Sequence, residues 1–220
     1  MLEIMLSGFL FLFIIIILIT SERFGYSVLS DLDSDTKLQE INKDPKKFKI
    51  GTVLAFIEHG TIIALAIMLF LVFNPYNMTL AVIWTISRIT EGLINFYNGK
   101  NYWGLLKIAK QYSSSSNTEK ESVSEIGRSI LKTKNSVFAF AQILFSIGTL
   151  SYSILFVTSE AVPVPAVIGW FGVVVSIIYG FGNGIILVKP NKAMKIFRVG
   201  LLILIFELIL GGWLLFSPLF

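Results

Sequence analysis

One stretch of the chain, residues 78–97, is long and apolar enough to cross a membrane, yet it carries charged side chains near its middle. Arg88 and Glu91 lie in this stretch, and Asn95 follows one helical turn later. Residues three and four apart share a helix face, so these side chains predict one polar face on an otherwise apolar helix. Ionisable groups are costly at membrane depth and normally face a bundle interior. The rest of the chain is therefore expected to supply their partners.

The composition supports a membrane protein. Hydrophobic residues make up 55% of the 220 residues and charged residues only 15%, which is typical of a polytopic membrane protein. We expect an all-α fold with a single integral membrane domain over residues 1–220, built as a six-transmembrane-helix bundle. The six predicted spans are about 4–20, 50–73, 78–97, 136–157, 164–188 and 196–216.

Residues 98–135, between the third and fourth predicted spans, are amphipathic rather than membrane-spanning. Residues 102–112 combine aromatic residues with lysines, which is typical of an interfacial helix at the lipid headgroups. Residues 113–116 are serines and predict a flexible break. Residues 119–134 form a second amphipathic segment, which docks on the bundle, lies on lipid or stays a solvated helix. A further short surface helix is expected over 34–43.

Two predicted spans carry small or polar residues at helical spacing. In the fourth span such a stripe runs through Gln142, Ser146, Thr149 and Ser153. It either faces something polar, or its hydroxyls bond back to their own helix. In the fifth span, small residues at positions 172, 176, 180 and 184 predict a seam for close helix packing.

The basic residues predict the orientation of the spans. Of the 18 lysines and arginines, six lie between spans one and two, seven between three and four, and four between five and six. The remaining one is Arg88. The three basic loops fall on one side, and the positive-inside rule puts them in the cytoplasm. Both termini are then expected outside the cell membrane.

The ionisable residues inside the predicted spans reach a common depth. At a rise of about 1.5 Å per residue, Glu58, Arg88 and Glu207 lie about 13 to 16 Å from the near end of their spans. That depth is close to the midplane of a hydrocarbon core of about 30 Å. The predicted ligand- or ion-binding site therefore comprises Glu58, His59, Arg88, Glu91, Asn95, Gln142 and Glu207.

Three buried glutamates against one arginine leave an unfavourable net charge. Either carboxyls stay protonated, or a cation or basic ligand completes the site. The first expectation is a proton- or cation-coupled carrier or conductance for a small solute. One alternative is a non-enzymatic structural or ligand-binding subunit of a membrane complex, in which the buried ion pairs fix helix register. Another is an intramembrane enzyme that uses carboxylates and His59, with or without a metal.

Other functions are excluded or disfavoured by what the sequence contains. There is no cysteine, which excludes disulfides, thiolate metal sites and cysteine nucleophiles. No glycine-rich phosphate loop or zinc-protease spacing occurs, so we expect no bound cofactor and no metal, and lean against an enzyme. The basic residues follow membrane topology and do not indicate nucleic acid. The expected partners are the lipid bilayer, a proton, cation or small solute, and another membrane subunit.

Four segments in order resemble one family of membrane proteins. They are GTVLAFIEHG at 51–60, RITEG at 88–92, VPVPAVIGWFGVV at 162–174 and FELILGGWLL at 206–215. They are similar to segments of the family called domain of unknown function 4386. The resemblance implies a bundle of about six spans with Glu58, Arg88, Glu91 and Glu207 at its polar positions, and it implies no activity or catalytic residue. In that family the termini tend to lie on the basic side, so this protein is inverted or the charge rule misleads.

Overall fold

The computed structural model describes residues 1–189 and 200–217, and the regular elements in those ranges are α-helices. We number them α1 Leu2–Arg23, α2 Ser34–Lys43, α3 Pro45–Phe73, α4 Met78–Trp103, α5 Leu105–Ser114, α6 Asn117–Thr158, α7 Ala166–Val188 and α8 Gly200–Phe216. The predicted sixth span, 196–216, coincides with α8 from residue 200 onward, and residues 196–199 lie outside the described ranges.

Six of these helices close a ring that follows the chain order. Helix α1 packs on α3, α3 on α4, α4 on α6, α6 on α7, α7 on α8, and α8 returns to α1. Short connections at 74–77 and 159–165 make the helices they join antiparallel neighbours. Side chains on the inner face of each ring helix therefore share one interior.

Glycines allow the first and last helices of the ring to meet. A Cβ added at Gly8 of α1 would lie 2.6 Å from the carbonyl oxygen of Gly211 in α8. A Cβ added at Gly211 would lie 2.8 Å from the Cβ of Phe11. Larger residues at these positions would separate the two backbones, so the close approach requires glycine.

The predicted small-residue seam of α7 packs on α6 over part of its length. At Gly172 an added Cβ would meet the Ser153 side chain of α6, and at Gly180 it would lie 3.1 Å from the Cβ of Ser146. Gly184 has nothing within 4 Å. The seam is therefore confirmed as packing at its first positions, whereas Gly184 faces open space.

Four ring helices, α1, α3, α6 and α7, are long and apolar enough to cross a membrane by length and composition. Helix α8 is also apolar, with 17 described residues. Helix α4 is 26 residues long but less apolar, because its buried face carries Arg88, Glu91, Asn95 and Asn98. Its exposed face is apolar, with Ile86 and Leu93 outward. Polar inside and apolar outside is the arrangement of a membrane-embedded helical protein.

Helix α6 joins two regions that the sequence analysis predicts as separate elements. The amphipathic segment 119–134 and the fourth predicted span form one helix of 42 residues, about 63 Å long. A capping box at Ser116 starts it, and residues 131–136 contain neither proline nor glycine to end it. A hydrocarbon core is about 30 Å thick, so roughly half of α6 extends beyond one membrane-length of helix.

The first half of α6 forms a small second layer with α2 and α5. Leu38 and Ile41 of α2, Leu105 and Ala109 of α5, and Leu131 of α6 are buried in one apolar cluster. The sequence predicts α2 over 34–43, as observed. The apolar faces that suggested interfacial helices pack largely on one another, so contact of α5 with lipid headgroups stays a prediction.

Candidate functional site

A cavity of about 440 Å³ lies within the ring, and all six ring helices contribute to its wall. It reaches towards the end of α1 and the start of α8, where Glu22 and Gly200 line it. The structure brings five of the seven predicted site residues to this wall. They are Glu58, Arg88, Glu91, Gln142 and Glu207.

The other two predicted residues, His59 and Asn95, are buried but do not line this cavity. Neither ring nitrogen of His59 has a hydrogen-bond partner among the residues that the structure describes. His59 follows Glu58 directly, so the two side chains point about 100° apart on α3. In the described ranges, no group of three or more histidine, aspartate or glutamate side chains is placed to hold a metal ion.

Arg88 and Glu91 form a buried ion pair within α4. Arg88 Nη1 donates to Glu91 Oε2 at 2.6 Å, and the two side chains are 1% and 2% exposed. The guanidinium carbon lies 4.5 Å from the ring centroid of Phe145 and 5.3 Å from that of Trp84. Aromatic faces attract a desolvated cation, and the carboxylate balances its charge. Arg88 is therefore fixed in place, with Glu91 as its counterion.

Glu58 and Glu207 face the cavity from α3 and α8, the two neighbours of α1 in the ring. Neither carboxyl forms an ion pair with any residue in the described ranges. Glu22 lines the cavity where α1 ends and is exposed. Among the described residues of the wall, four glutamates stand against one arginine. Such a site favours a bound proton or cation, because like charges at low dielectric are unfavourable.

Gln142 is held by Tyr179, a residue that the sequence analysis did not select. The Tyr179 hydroxyl donates to Gln142 Oε1 at 3.1 Å, and its ring contacts Phe145 edge-on at 5.8 Å. This contact fixes the Gln142 side chain where it lines the cavity, on the same wall as Glu91. One sequence feature could have identified this residue, because Tyr179 is the single tyrosine in the apolar run 166–188.

Most side chains of the polar stripe of α6 contact their own helix or α7. Ser146 donates to the carbonyl of Gln142 at 2.9 Å, and Ser153 to that of Thr149 at 2.7 Å. Back-bonded hydroxyls of this kind satisfy themselves and need no polar neighbour. Gln142 reaches the cavity, and Thr149 borders a smaller space beyond it. The stripe thus belongs to packing except at these two residues.

Aromatic side chains fill the ring at the end where both termini lie. Tyr152 lies 4.5 Å from Trp84 and 5.9 Å from Phe156, measured between ring centroids. Between this aromatic layer and Glu207 is a space of about 10 Å³, which holds at most one water. The interior therefore narrows beyond Glu207, towards the start of α1 and the end of α8, whereas the cavity includes the exposed Glu22 at its other end.

Lys134 holds the connection between α1 and α2 at the mouth of the cavity. Its buried ammonium donates to the carbonyls of Ser27 and of Val28, the latter at 2.6 Å. It lies 5.0 Å from the ring of Tyr26 and 4.9 Å from that of Tyr102. Burial raises the pKa of the Tyr26 hydroxyl, so this ring stays neutral beside the cation. Since Val28 lines the cavity, Lys134 positions part of the cavity wall. The sequence analysis counts Lys134 only among the basic loop residues and does not select it for the site.

Fold and cavity together define an all-helical protein of the membrane-embedded class. A model of the family described as Domain of unknown function (DUF4386) matches residues 6–217. That match spans nearly the whole chain, and the chain belongs to the DUF4386 family. The resemblance drawn from four sequence segments is confirmed. No curated protein and no solved structure matches the chain.

Replacing Arg88 with methionine should lower the free energy of unfolding by about 3 to 5 kcal/mol, because it leaves Glu91 buried without its counterion. The double variant Arg88→Met/Glu91→Met should recover most of that loss, since an apolar pair suits this space. Unfolding in detergent micelles measures both, with the exposed Glu160→Gln as control. A double variant less stable than Arg88→Met would contradict the pairing.

Proposed function

We propose that the chain crosses the cell membrane six times, with α1, α3, α4, α6, α7 and α8 as spans. Helices α4 and α8 complete the same ring as the four helices that are apolar enough alone, which supports counting them. At about 39 Å, α4 is long enough to span, and the charges near its middle, Arg88 and Glu91, line the cavity. The basic loops lie in the cytoplasm and both termini outside.

Because the chain has no cysteine, single cysteines can report this topology against a clean background. Ser113→Cys, in the exposed end of α5, should react with a membrane-impermeant maleimide only after cells are permeabilised. Glu160→Cys, in the exposed turn before α7, should react in intact cells. The reverse pattern would invert the orientation, and labelling of both sites in intact cells would remove the six-span arrangement.

We propose that the protein is a proton- or cation-coupled carrier or conductance for a small solute. The observation that carries this proposal is the charge of the cavity wall. Arg88 is already balanced by Glu91, so Glu58 and Glu207 face the cavity without a cation of their own among the described residues. Carboxyls in this position gain either a proton or a cation, and exchange of one for the other is the elementary step of coupled transport.

Each part of the cavity then has a role in that exchange. Glu22 at the mouth raises the local concentration of cations. Glu58 and Glu207 bind the proton or the cation, while the ion pair with Arg88 holds Glu91 in place. The aromatic layer around Trp84 and Tyr152 keeps the cavity closed on the side of the termini. Release on that side requires the layer to part, as in alternating access.

A second candidate is a non-enzymatic subunit of a membrane complex. The observation that favours it is the fixation of Arg88 by Glu91, Phe145 and Trp84, which also suits a static network that sets helix register. The layer formed by α2, α5 and the first half of α6 then provides the surface for a partner. This candidate predicts folding defects, rather than altered flux, when the cavity carboxyls are changed.

Proton flux separates the two candidates. Purified protein in liposomes that contain a pH-sensitive dye should take up protons after an external pH step, with potassium efflux through valinomycin balancing the charge that enters. Glu58→Gln and Glu207→Gln should each reduce the rate to that of empty liposomes, because an amide cannot release a proton. The matched control Glu160→Gln, at the exposed turn before α7, should carry protons like the wild type. Folded wild-type protein without any flux above empty liposomes would leave the subunit as the better account.

A further inference from the structure

We infer that the central cavity takes an organic monocation with an apolar body, such as a protonated or quaternary amine. This inference rests on the proposed carrier function, since it names the substrate class of the same cavity. Four features carry it: the volume of the cavity, its hydrocarbon surface, its aromatic rings, and carboxyls that have no ion-pair partner among the described residues.

The cavity is sized for a small organic molecule. Its volume of about 440 Å³ falls within the range of roughly 300 to 1,000 Å³ that is usual for small-molecule sites. One water occupies about 30 Å³ in the liquid, so a bare inorganic ion would leave most of this space empty or wet. A molecule with a body of several carbons fills it.

Hydrocarbon surface separates the charged groups of the wall. Ile14 and Leu18 of α1, Ile62 of α3 and Ile203 of α8 all line the cavity. These side chains offer no oxygen to a metal ion, whose usual ligands are carboxylates, carbonyls and water. They do stabilise an apolar body by removing it and themselves from water. The wall therefore suits a ligand that is largely apolar.

The charges of the wall require that ligand to be a cation. An anion would need the Arg88 guanidinium, which is bound to Glu91 at 2.6 Å and covered by the ring of Phe145 at 4.5 Å. A cation finds Glu58 and Glu207 without counterions in the described ranges. A proton and an ammonium group neutralise the same carboxyls, so each displaces the other.

Aromatic rings in the wall add recognition of an ammonium group. Phe138 of α6 and Tyr179 of α7 line the cavity beside Gln142. Faces of such rings attract quaternary and protonated amines, most strongly where water is excluded. The ring of Phe145 already contacts the Arg88 guanidinium in this way, and two further aromatic residues of the same kind line the cavity.

Titration calorimetry on protein in lipid nanodiscs tests the inference with three probes. Benzyltrimethylammonium, which has both charge and apolar body, should bind and release protons on binding. Tetramethylammonium lacks the body and should bind about tenfold or more weakly. The anion 3-phenylpropionate, which has the body and the opposite charge, should not compete. Empty nanodiscs correct for partition into lipid.

Variants identify the site of binding. Glu58→Gln and Glu207→Gln should each weaken benzyltrimethylammonium by about tenfold or more, and Glu160→Gln should leave its affinity unchanged. The comparison among the three probes uses wild-type protein, so it stands even if a variant fails to fold. Binding of 3-phenylpropionate as tight as that of the cation, or no binding of benzyltrimethylammonium, would overturn the inference.

Different results would overturn the proposed carrier function and the inferred substrate class. If the protein carries protons in liposomes but does not bind benzyltrimethylammonium, the inferred substrate class is overturned and the proposed carrier function stands. Binding of the cation without any proton flux overturns the carrier, and the assignment of a transported substrate falls with it. Binding together with flux that benzyltrimethylammonium inhibits supports both.

Discussion

The constraint on which the rest of the structure depends is that the charges of Arg88 and Glu91 can be buried only as a pair. An ion removed from water costs several kcal/mol after relaxation, and a pair recovers that cost only with good geometry and further contacts. Here the contact is 2.6 Å long and aromatic rings from α4 and α6 cover the guanidinium. A ring of helices that opened would expose this pair to lipid, so the pair and the closed ring stabilise each other.

Closure of the ring also makes the two ends of the interior different. Aromatic packing around Tyr152 fills the end where α1 begins and α8 ends. At the other end, Lys134 holds the carbonyls of the α1–α2 connection, and Glu22 and Val28 frame the mouth. A space that is closed on one side and charged on the other is suited to binding from one compartment at a time. That geometry connects the fold with the proposed exchange of protons and cations.

Much of the fold could be predicted because the length of each apolar run in the sequence indicates where a predicted span begins and ends. The end of α3 at Phe73, the start of α4 at Met78, the end of α7 at Val188 and the bounds of α2 agree with the predictions. The rarity of charge at depth led to the four charged residues that line the cavity, Glu58, Arg88, Glu91 and Glu207, whereas Gln142 was selected from the polar stripe of its span. The continuity of α6 could not be predicted in this way, since hydropathy marks where a span leaves the membrane and not where its helix ends.

Other parts of the site depend on packing between helices, which one sequence does not specify. Tyr179 resembles any tyrosine of an apolar helix until Gln142 meets it from α6. Lys134 resembles a loop charge until the chain folds back to place Ser27 and Val28 against it. His59 was included in the predicted site although it points about 100° away from Glu58 on the helix, and its buried side chain does not line the cavity. Adjacent residues on a helix point in different directions, so closeness in the sequence does not place two side chains in the same site.

The account is tested most directly by the charge selectivity of the cavity. Ile203→Cys places a thiol on the cavity wall of a chain that has no other cysteine. A cationic methanethiosulfonate should modify it about tenfold or more faster than an anionic one of similar size, after normalisation to the exposed Ser113→Cys. Reaction should come from the side of the Glu22 mouth. Equal rates for the two reagents, or faster reaction of the anion, would contradict a cavity whose described wall carries four glutamates and one arginine.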